Sequence, residues 1–192
     1  MYTQDQKKFK AKKEEDILQD IKDAAKQGIA YRKVFLADGD AMVLPTRRLI
    51  KILKQIKEHL PSVEKVTSYC LPRNIKKKSV EDLSTLRELG LDMLYVGCES
   101  GDDEVLAAVS KGETYQSQKD ALVKIKQAGV KSSVMILNGL GGPKLSEQHA
   151  RNSALLMNEC QPDFLSTLVV SFPMGEERLK EGFDDNWSLM DQ

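Results

Sequence analysis

Polar and glycine-rich residues follow five short apolar runs of this 192-residue chain, and their types could do chemistry. The segments are A-D-G-D at 37–40, L-P-R-N at 71–74, G-C-E-S-G at 97–101, N-G-L-G-G at 138–142 and S-F-P-M-G at 171–175. Carboxylates suit divalent cations or sugar hydroxyls, and glycines let a backbone approach a flat ring or a phosphate closely. Each segment alone is also typical of an ordinary turn. Their recurrence after every apolar run predicts one shared binding face.

The charged members of these segments leave several interpretations open. Asp38 and Asp40 could bind a divalent cation, could form a tight turn against a ligand, or could belong to a plain turn. Glu99 could accept hydrogen bonds from a ribose diol, or could cap the following helix together with Ser100. Arg73 begins the basic run R-N-I-K-K-K, which would either attract an anionic substrate or form a solvated surface.

The glycine segment, the histidines and the cysteines give weaker signals. N-G-L-G-G matches neither a Walker loop nor the G-x-G-x-x-G spacing. His59 and His149 have no cysteine or carboxylate at ligand spacing, which disfavours zinc and histidine catalysis. Cys70 and Cys98 end successive strands, so their sulfurs could lie close together if those strands pair, or both could be small buried thiols. The sequence therefore assigns no metal ligand and no catalytic residue.

The elements that would position these residues follow two alternating patterns. Apolar residues at helical spacing alternate with unbroken β-forming runs at 34–37, 66–70, 93–98, 134–137 and 164–170. This alternation predicts right-handed βαβ units in a parallel sheet, whose carboxyl-terminal strand ends share one edge. The repeat is about 33 residues, so eight repeats would need about 266 residues. We therefore expect an α/β fold: either an open five-stranded sheet or a partial barrel of five to six parallel strands.

Composition restricts the class of protein. Lys plus Arg and Asp plus Glu both number 29, and zero net charge argues against general nucleic-acid or membrane-surface binding. No apolar stretch is long enough for a bilayer, and the N-terminus lacks the apolar region of a signal peptide. Three cysteines do not form a secreted disulfide framework. We expect a cytoplasmic protein with a basic tail at 1–13, one α/β domain at 14–175 and an acidic tail at 176–192.

Taken in order, the strand-end segments resemble those of the radical S-adenosylmethionine enzymes. The similarity is strongest to the branch shared by elongator-type acetyltransferases and oxygen-independent coproporphyrinogen oxidases. Three sets of residues carry it: Ala37, Asp38, Gly39 and Asp40; Glu99 and Ser100; Ile136, Leu137, Asn138, Gly139, Leu140 and Gly141. In the family, these positions hold the methionyl amino group, the ribose and the adenine of S-adenosylmethionine, in that order. The resemblance implies a nucleoside ligand, and the basic run that begins at Arg73 leaves this residue as a candidate for the substrate.

The chain departs from this family at the loop that binds the iron–sulfur cluster. Family members carry a C-x-x-x-C-x-x-C loop whose thiolates hold a [4Fe–4S] cluster, whereas no two cysteines here lie closer than 28 residues. The resemblance therefore implies a barrel core without its first strand, its cluster loop and its last strands. We expect it to keep the adenosyl-binding strand ends, to bind S-adenosylmethionine weakly or not at all, and to be unable to generate the 5′-deoxyadenosyl radical by itself.

Two other functions and one question of assembly remain open. The chain could be a non-catalytic α/β module that binds a nucleotide or a protein, or a magnesium-dependent enzyme that uses Asp38, Asp40 and Glu99. A partial barrel leaves apolar edge strands, which recruit other strands. We therefore expect a homo-oligomer through these edges, unless Phe183 and Trp187 of the acidic tail cover one of them.

Overall fold

The computed structural model describes residues 10–37, 39–171, 175, 177–183 and 187–188. The strands are β1 Lys33–Leu36, β2 Lys65–Cys70, β3 Leu91–Glu99, β4 Lys131–Asn138 and β5 Phe164–Val169. The helices are α1 Glu14–Lys26, α2 Thr46–His59, α3 Pro72–Lys76, α4 Val80–Glu88, α5 Asp103–Ala108, α6 Tyr115–Gln127, α7 Gly142–Cys160 and α8 Glu177–Gly182, with a short 3₁₀ helix at Ala41–Val43. The predicted alternation of strands and helices is confirmed.

The five strands form one open parallel sheet in the order β1-β2-β3-β4-β5. Right-handed crossovers between sequential parallel strands place the connecting helices on one face of the sheet, where α2, α4, α6 and α7 pack side by side, as in a barrel wall. A doubly wound sheet would reverse its strand order and carry helices on both faces. The structure therefore confirms the α/β class and five parallel strands, arranged as part of a barrel that is open at both edges.

The main core lies between the convex face of this sheet and its helices. On β3, every second residue points toward the helices, and these residues, Leu94, Val96 and Cys98, are fully buried. The helices contribute apolar side chains to the same core, among them Leu53, Leu83, Leu86, Leu122, Ile125 and Leu156. Because one face of the sheet carries the helices, the concave face remains available to a ligand or to another chain.

An N-terminal cap confirms one helix start that the sequence predicts. Ser79 accepts a hydrogen bond from the Asp82 amide at 3.0 Å, and the Asp82 carboxylate accepts from the Ser79 amide at 3.1 Å. This reciprocal capping box satisfies two amides that would otherwise have no partner in the first turn of α4. It fixes the start of α4, the helix that leads into β3, and Glu99 lies at the end of that strand.

The two edges of the sheet differ. At β1, a groove of about 650 Å³ runs between α1, the strand and α2. At the other edge, all six residues of β5 are exposed, and Phe164 and Val169 keep 56% and 60% of their surface accessible. Trp187 is buried, but it packs against Leu140 and the start of α7. The apolar β5 strand is therefore uncovered by the described part of the chain.

None of the described helices is both long and apolar enough to cross a membrane.

Candidate functional site

The carboxyl-terminal ends of the five parallel strands bring the predicted segments to one border of the sheet. We call this border the strand-end edge and define it by residues 36–40, 70–74, 97–101 and 138–142. Residue 38 and residues 172–174 lie outside the described part of the chain, so the predictions for Asp38 and for most of the last segment are not placed.

Glu99 has an unusual backbone at the end of β3. Its φ is 67°, and the Ser100 amide donates to the Cys98 carbonyl oxygen at 2.8 Å, which closes a three-residue turn around Glu99. The pairing of β3 with β4 shifts register at the same place. A left-handed conformation costs a non-glycine residue roughly 1–2 kcal/mol. Strained backbone of this kind clusters at functional sites, which directs attention to the Glu99 side chain.

The Glu99 carboxylate turns back over the concave face of β3. A Cβ atom at Gly97 would lie 2.8 Å from Glu99 Oε1, so the absence of a side chain at Gly97 makes room for the carboxylate. Lys111 Nζ donates to the same oxygen at 2.9 Å, and the two side chains are only 13% (Lys111) and 21% (Glu99) exposed. No hydrogen bond from the described residues reaches Oε2, which leaves that oxygen able to accept from a ligand.

The loop that carries Lys111 is held by an ion pair with Arg73 on α3, the short helix after β2. The Glu113 side chain is 1% exposed, and its Oε1 accepts from the amide and the Nε of Arg73, each at 2.9 Å. The Arg73 guanidinium also donates to the Lys111 carbonyl oxygen. Arg73, which the sequence suggests as a substrate contact, is thus placed beside the Glu99–Lys111 pair with a buried carboxylate as its own partner.

The basic run that follows Arg73 is not simply a solvated surface. Lys78 is 5% exposed and donates to the Leu44 carbonyl oxygen at 2.7 Å. Burial lowers the pKa of Lys78. This lysine ties the α3–α4 turn to the segment before α2.

Asp40 cross-links two loops of the strand-end edge. Its carboxylate accepts from the Met42 amide at 2.8 Å, the Leu71 amide at 2.6 Å and the Asn74 side-chain amide at 2.7 Å. Burial nevertheless raises the pKa of Asp40 above its ordinary value. Ala37 and Gly39 are exposed. The described part of the A-D-G-D segment therefore presents backbone to solvent while Asp40 fixes the loop.

No metal centre forms among the residues that the structure describes. Within them, no three His, Cys, Asp or Glu side chains come together as metal ligands. Both oxygens of Asp40 already accept hydrogen bonds, and Glu99 pairs with Lys111. Cys70, Cys98 and Cys160 are free, buried thiols, as the sequence predicts for the first two, and burial raises the pKa of all three. These side chains do not suit a cluster that needs several converging thiolates.

The segment from 136 to 141 is partly a structural turn. Ile136, Leu140 and Gly141 are buried, and a Cβ atom at Gly141 would lie 2.9 Å from the Leu145 carbonyl oxygen on α7. Leu137 is half-buried and Asn138 is exposed. Gly139, with φ 83°, allows the chain to reverse after β4. The part of this segment that a ligand can reach is thus 137–139.

Ser100 lies behind the edge. It is fully buried, and its hydroxyl lies 2.8 Å from His149 Nδ1 on α7. Helix α5 is capped by Asp102, which accepts from the Val105 amide, so Glu99 and Ser100 are not its side-chain caps. Glu99 and Ser100, which the resemblance assigns together to the ribose, therefore differ: the Glu99 side chain lies on the concave face of the sheet, and Ser100 is buried behind it.

Sequence reasoning missed Lys111 and underestimated His149. Lys111 follows Glu99 by twelve positions, and only the short α5 helix returns it to the edge. His149 lies on the inner face of α7 with Leu145, Ser153 and Leu156. That helical spacing is visible in the sequence and signals burial, although it does not reveal the partners.

Comparisons with known proteins bear on the family. A family profile described as the radical SAM superfamily matches residues 2–157. A search of curated protein sequences found no match. Coproporphyrinogen III oxidase (HemN) from Escherichia coli, a radical SAM enzyme, superposes with a TM-score of 0.70 at 18% identity, covering 87% of this chain and 39% of that protein.

Two further solved structures have the same fold. The superposition on methylornithine synthase (PylB) has a TM-score of 0.63 at 21% identity, and it covers 93% of this chain and 49% of that protein. The superposition on Elp3 from the archaeon Methanocaldococcus infernus, with an N-terminal deletion, has a TM-score of 0.62 at 14% identity. It covers 91% of this chain and 45% of that protein. This chain thus spans less than half the length of each of the three proteins.

The family that the strand-end segments resemble is confirmed, and the three structures have the fold that this resemblance implies. The profile covers most of the chain, from before α1 into α7. The chain belongs to the radical SAM superfamily.

Proposed function

We propose that the strand-end edge is the adenosyl-binding wall of a radical SAM protein, and that it binds S-adenosylmethionine or 5′-deoxyadenosine. The observation that carries this proposal is the strained Glu99, whose carboxylate turns onto the concave face beside Lys111. In this proposal, the strained backbone holds the carboxylate in one fixed position at the site, which accounts for its conformational cost.

The ribose is the part of the ligand that this carboxylate suits. Glu99 Oε2 can accept a hydrogen bond from a ribose hydroxyl while Oε1 remains paired with Lys111 at 2.9 Å. Lys111 compensates the negative charge of a largely buried carboxylate, which would otherwise be costly to desolvate. A charged acceptor gives a stronger hydrogen bond than a neutral one.

The adenine would lie along the accessible part of the β4–α7 turn. Leu137 offers a half-buried apolar side chain, and the exposed Asn138 offers both an amide donor and a carbonyl acceptor to a base edge. Gly139 keeps the backbone free of a side chain there. Ile136, Leu140 and Gly141 would support the shape of this turn without contacting the base, because they are buried in its packing.

The methionyl end of the ligand would lie toward the loop after β1. Asp40 holds this loop to the segment after β2 by accepting hydrogen bonds from Leu71 and from Asn74 on α3. The exposed backbone of Ala37 and Gly39 then remains available to the amino group. In this arrangement Asp40 shapes the loop and does not itself bind the ligand.

The same proposal assigns this chain alone no [4Fe–4S] cluster. Cys70, Cys98 and Cys160 lie on β2, β3 and α7 and face the core, where burial raises the pKa of each thiol. Without the cluster, S-adenosylmethionine would lose the coordination of its amino and carboxylate groups. We therefore propose weak nucleoside binding by this chain and no radical formation by it alone.

Isothermal titration calorimetry with 5′-deoxyadenosine tests the proposal, because this ligand needs no cluster. The wild-type chain should bind, and Glu99→Gln should weaken binding by about 1–3 kcal/mol, because its one amide oxygen would stay paired with Lys111 and its NH2 group cannot accept from the ribose. Glu147→Gln is the matched control, since that α7 side chain is 87% exposed and pairs with Arg151 on the helix surface, not with a residue of the edge. Absence of binding, or equal affinity for wild type and Glu99→Gln, would contradict the proposal.

A further inference from the structure

A single imidazole connects the two strand ends to which the ribose and the adenine are assigned. His149, on α7, is 5% exposed. Its Nδ1 lies 2.8 Å from Ser100 Oγ, next to Glu99, and its Nε2 lies 3.0 Å from the Leu137 carbonyl oxygen at the end of β4. The β3 and β4 segments are thus joined through this side chain as well as through the sheet.

The partners determine the protonation of the ring. A carbonyl oxygen can only accept, so Nε2 must carry a proton and donate to Leu137. In the neutral ring Nδ1 is then an acceptor, and the Ser100 hydroxyl donates to it. The Ser100 oxygen in turn accepts from the Asp102 amide at 3.0 Å. Each bond fixes the direction of the next.

Further hydrogen bonds hold the Ser100 segment in place. The Gln118 side chain donates to the Ser100 carbonyl oxygen at 3.0 Å, and the Gly101 amide donates to Ser153 Oγ at 2.9 Å. The backbone directly after Glu99 is therefore anchored to α6 and α7. Because Glu99 has a strained φ, it depends on this anchoring more than an ordinary strand residue would.

We propose that His149 is a positioning residue that fixes the Glu99 segment relative to residues 137–139, so that nucleoside affinity falls when this histidine becomes protonated. The inference rests on the proposed function for the location of the ligand. His149 itself lies behind the edge and would not touch the nucleoside.

Protonation disrupts the network for a simple reason. Both ring nitrogens then donate, so the Ser100 hydroxyl loses its acceptor inside a buried site. Burial lowers the pKa of His149 below its ordinary value of 6.5, against the opposing influence of the Leu137 carbonyl and of Asp102. Among the described residues, Asp102 is the charged group that acts on the imidazole from the elements packed around it.

The test compares nucleoside affinity between pH 8 and pH 5 in the wild type and three variants. In His149→Gln, the amide can still donate to Leu137 and accept from Ser100, but it does not titrate in this range. We expect wild-type affinity for 5′-deoxyadenosine to fall by about fivefold in acid, the equivalent of roughly one hydrogen bond. His149→Gln should bind similarly at both pH values, and His149→Leu should bind weakly at both. Glu147→Gln should follow the wild type.

A second measurement does not need the ligand. Amide hydrogen exchange should quicken in His149→Leu at residues 100–102 and at the amides of Leu140 and Gly142, which donate to the carbonyl oxygens of Leu137 and Gly139. It should remain near wild type in His149→Gln. An acid loss in His149→Gln equal to that of the wild type would overturn the inference, as would unchanged exchange in His149→Leu. If the wild type binds no nucleoside at all, the proposed function fails, and hydrogen exchange still decides whether His149 positions the two segments.

Discussion

Trp187 donates its indole N–H to the carbonyl oxygen of Leu140 at 3.0 Å, and this bond attaches the C-terminal segment to the turn after β4. The indole is 2% exposed and packs with Val105, Leu145 and Val170. It also lies on Gly142, where a Cβ atom would come within 2.7 Å of Trp187 Cδ1. The turn assigned to adenine is thus supported from behind by a residue close to the end of the chain.

Tryptophan fluorescence reports this contact, because Trp187 is the single tryptophan of the protein. Gly142→Ala should displace the indole and shift its emission to longer wavelength. Gly129→Ala is the matched control, since Gly129 has a similarly positive φ of 71° but open space where a Cβ atom would lie. Equal spectra for wild type and Gly142→Ala would show that Trp187 does not pack on this turn in solution.

Stability should depend on pH through His149. Its folded-state pKa lies below its ordinary value, so the unfolded chain binds more protons between the two values and stability rises with pH there. As pH falls from above 6.5 through the lowered pKa, the wild type should lose unfolding free energy relative to His149→Gln. Urea denaturation at a series of pH values measures this difference. A constant difference across the series would contradict the assignment of a neutral, buried imidazole.

Anaerobic reconstitution tests the statement about the cluster. Incubated with iron and sulfide, the chain alone should acquire no stoichiometric [4Fe–4S] cluster, because its three thiols are buried and do not converge. Iron analysis and visible absorption provide the measurement. If iron binds stoichiometrically, a Cys70→Ala, Cys98→Ala double variant would show whether these strand thiols hold it, and the statement would be wrong.

Light scattering tests the predicted homo-oligomer. The exposed apolar face and edge of β5 are expected to associate with a second copy, so the wild type should exceed the monomer mass of 21.5 kDa at micromolar concentration. Leu168→Lys on β5 should restore the monomer. Leu155→Lys should not, although Leu155 is comparably exposed, at 49% against 52%, because it lies on α7. A wild-type monomer would contradict the prediction.

Much of the fold was predictable because it depends on local patterns. The apolar run at 164–170 corresponds to β5 at Phe164–Val169, and the capping sequence at Ser79 begins α4 as expected. Burial on one face and parallel pairing follow from the same runs. The exposure of β5 was also foreseeable, since five strands are too few to close a barrel of eight.

The site was predictable only in part. The position of Glu99 at a strand end follows from the sequence, but its left-handed turn depends on the hydrogen bond between Ser100 and Cys98 and on the space at Gly97. Lys111 and His149 reach their partners through tertiary packing, which spacing along the chain does not encode. The resemblance places Ser100 beside the ribose, and no pattern in the sequence indicates that its hydroxyl lies 2.8 Å from His149 Nδ1.

A cycle that changes both the protein and the ligand tests the assignment of Glu99 to the ribose. Calorimetry would compare 5′-deoxyadenosine with 2′,5′-dideoxyadenosine and 3′,5′-dideoxyadenosine, each on the wild type and on Glu99→Gln. If the carboxylate accepts from a ribose hydroxyl, removing that hydroxyl should weaken binding to the wild type by about tenfold and to Glu99→Gln much less, as coupled partners do. Losses of equal size in both proteins, for both ligands, would contradict contact between Glu99 and the ribose.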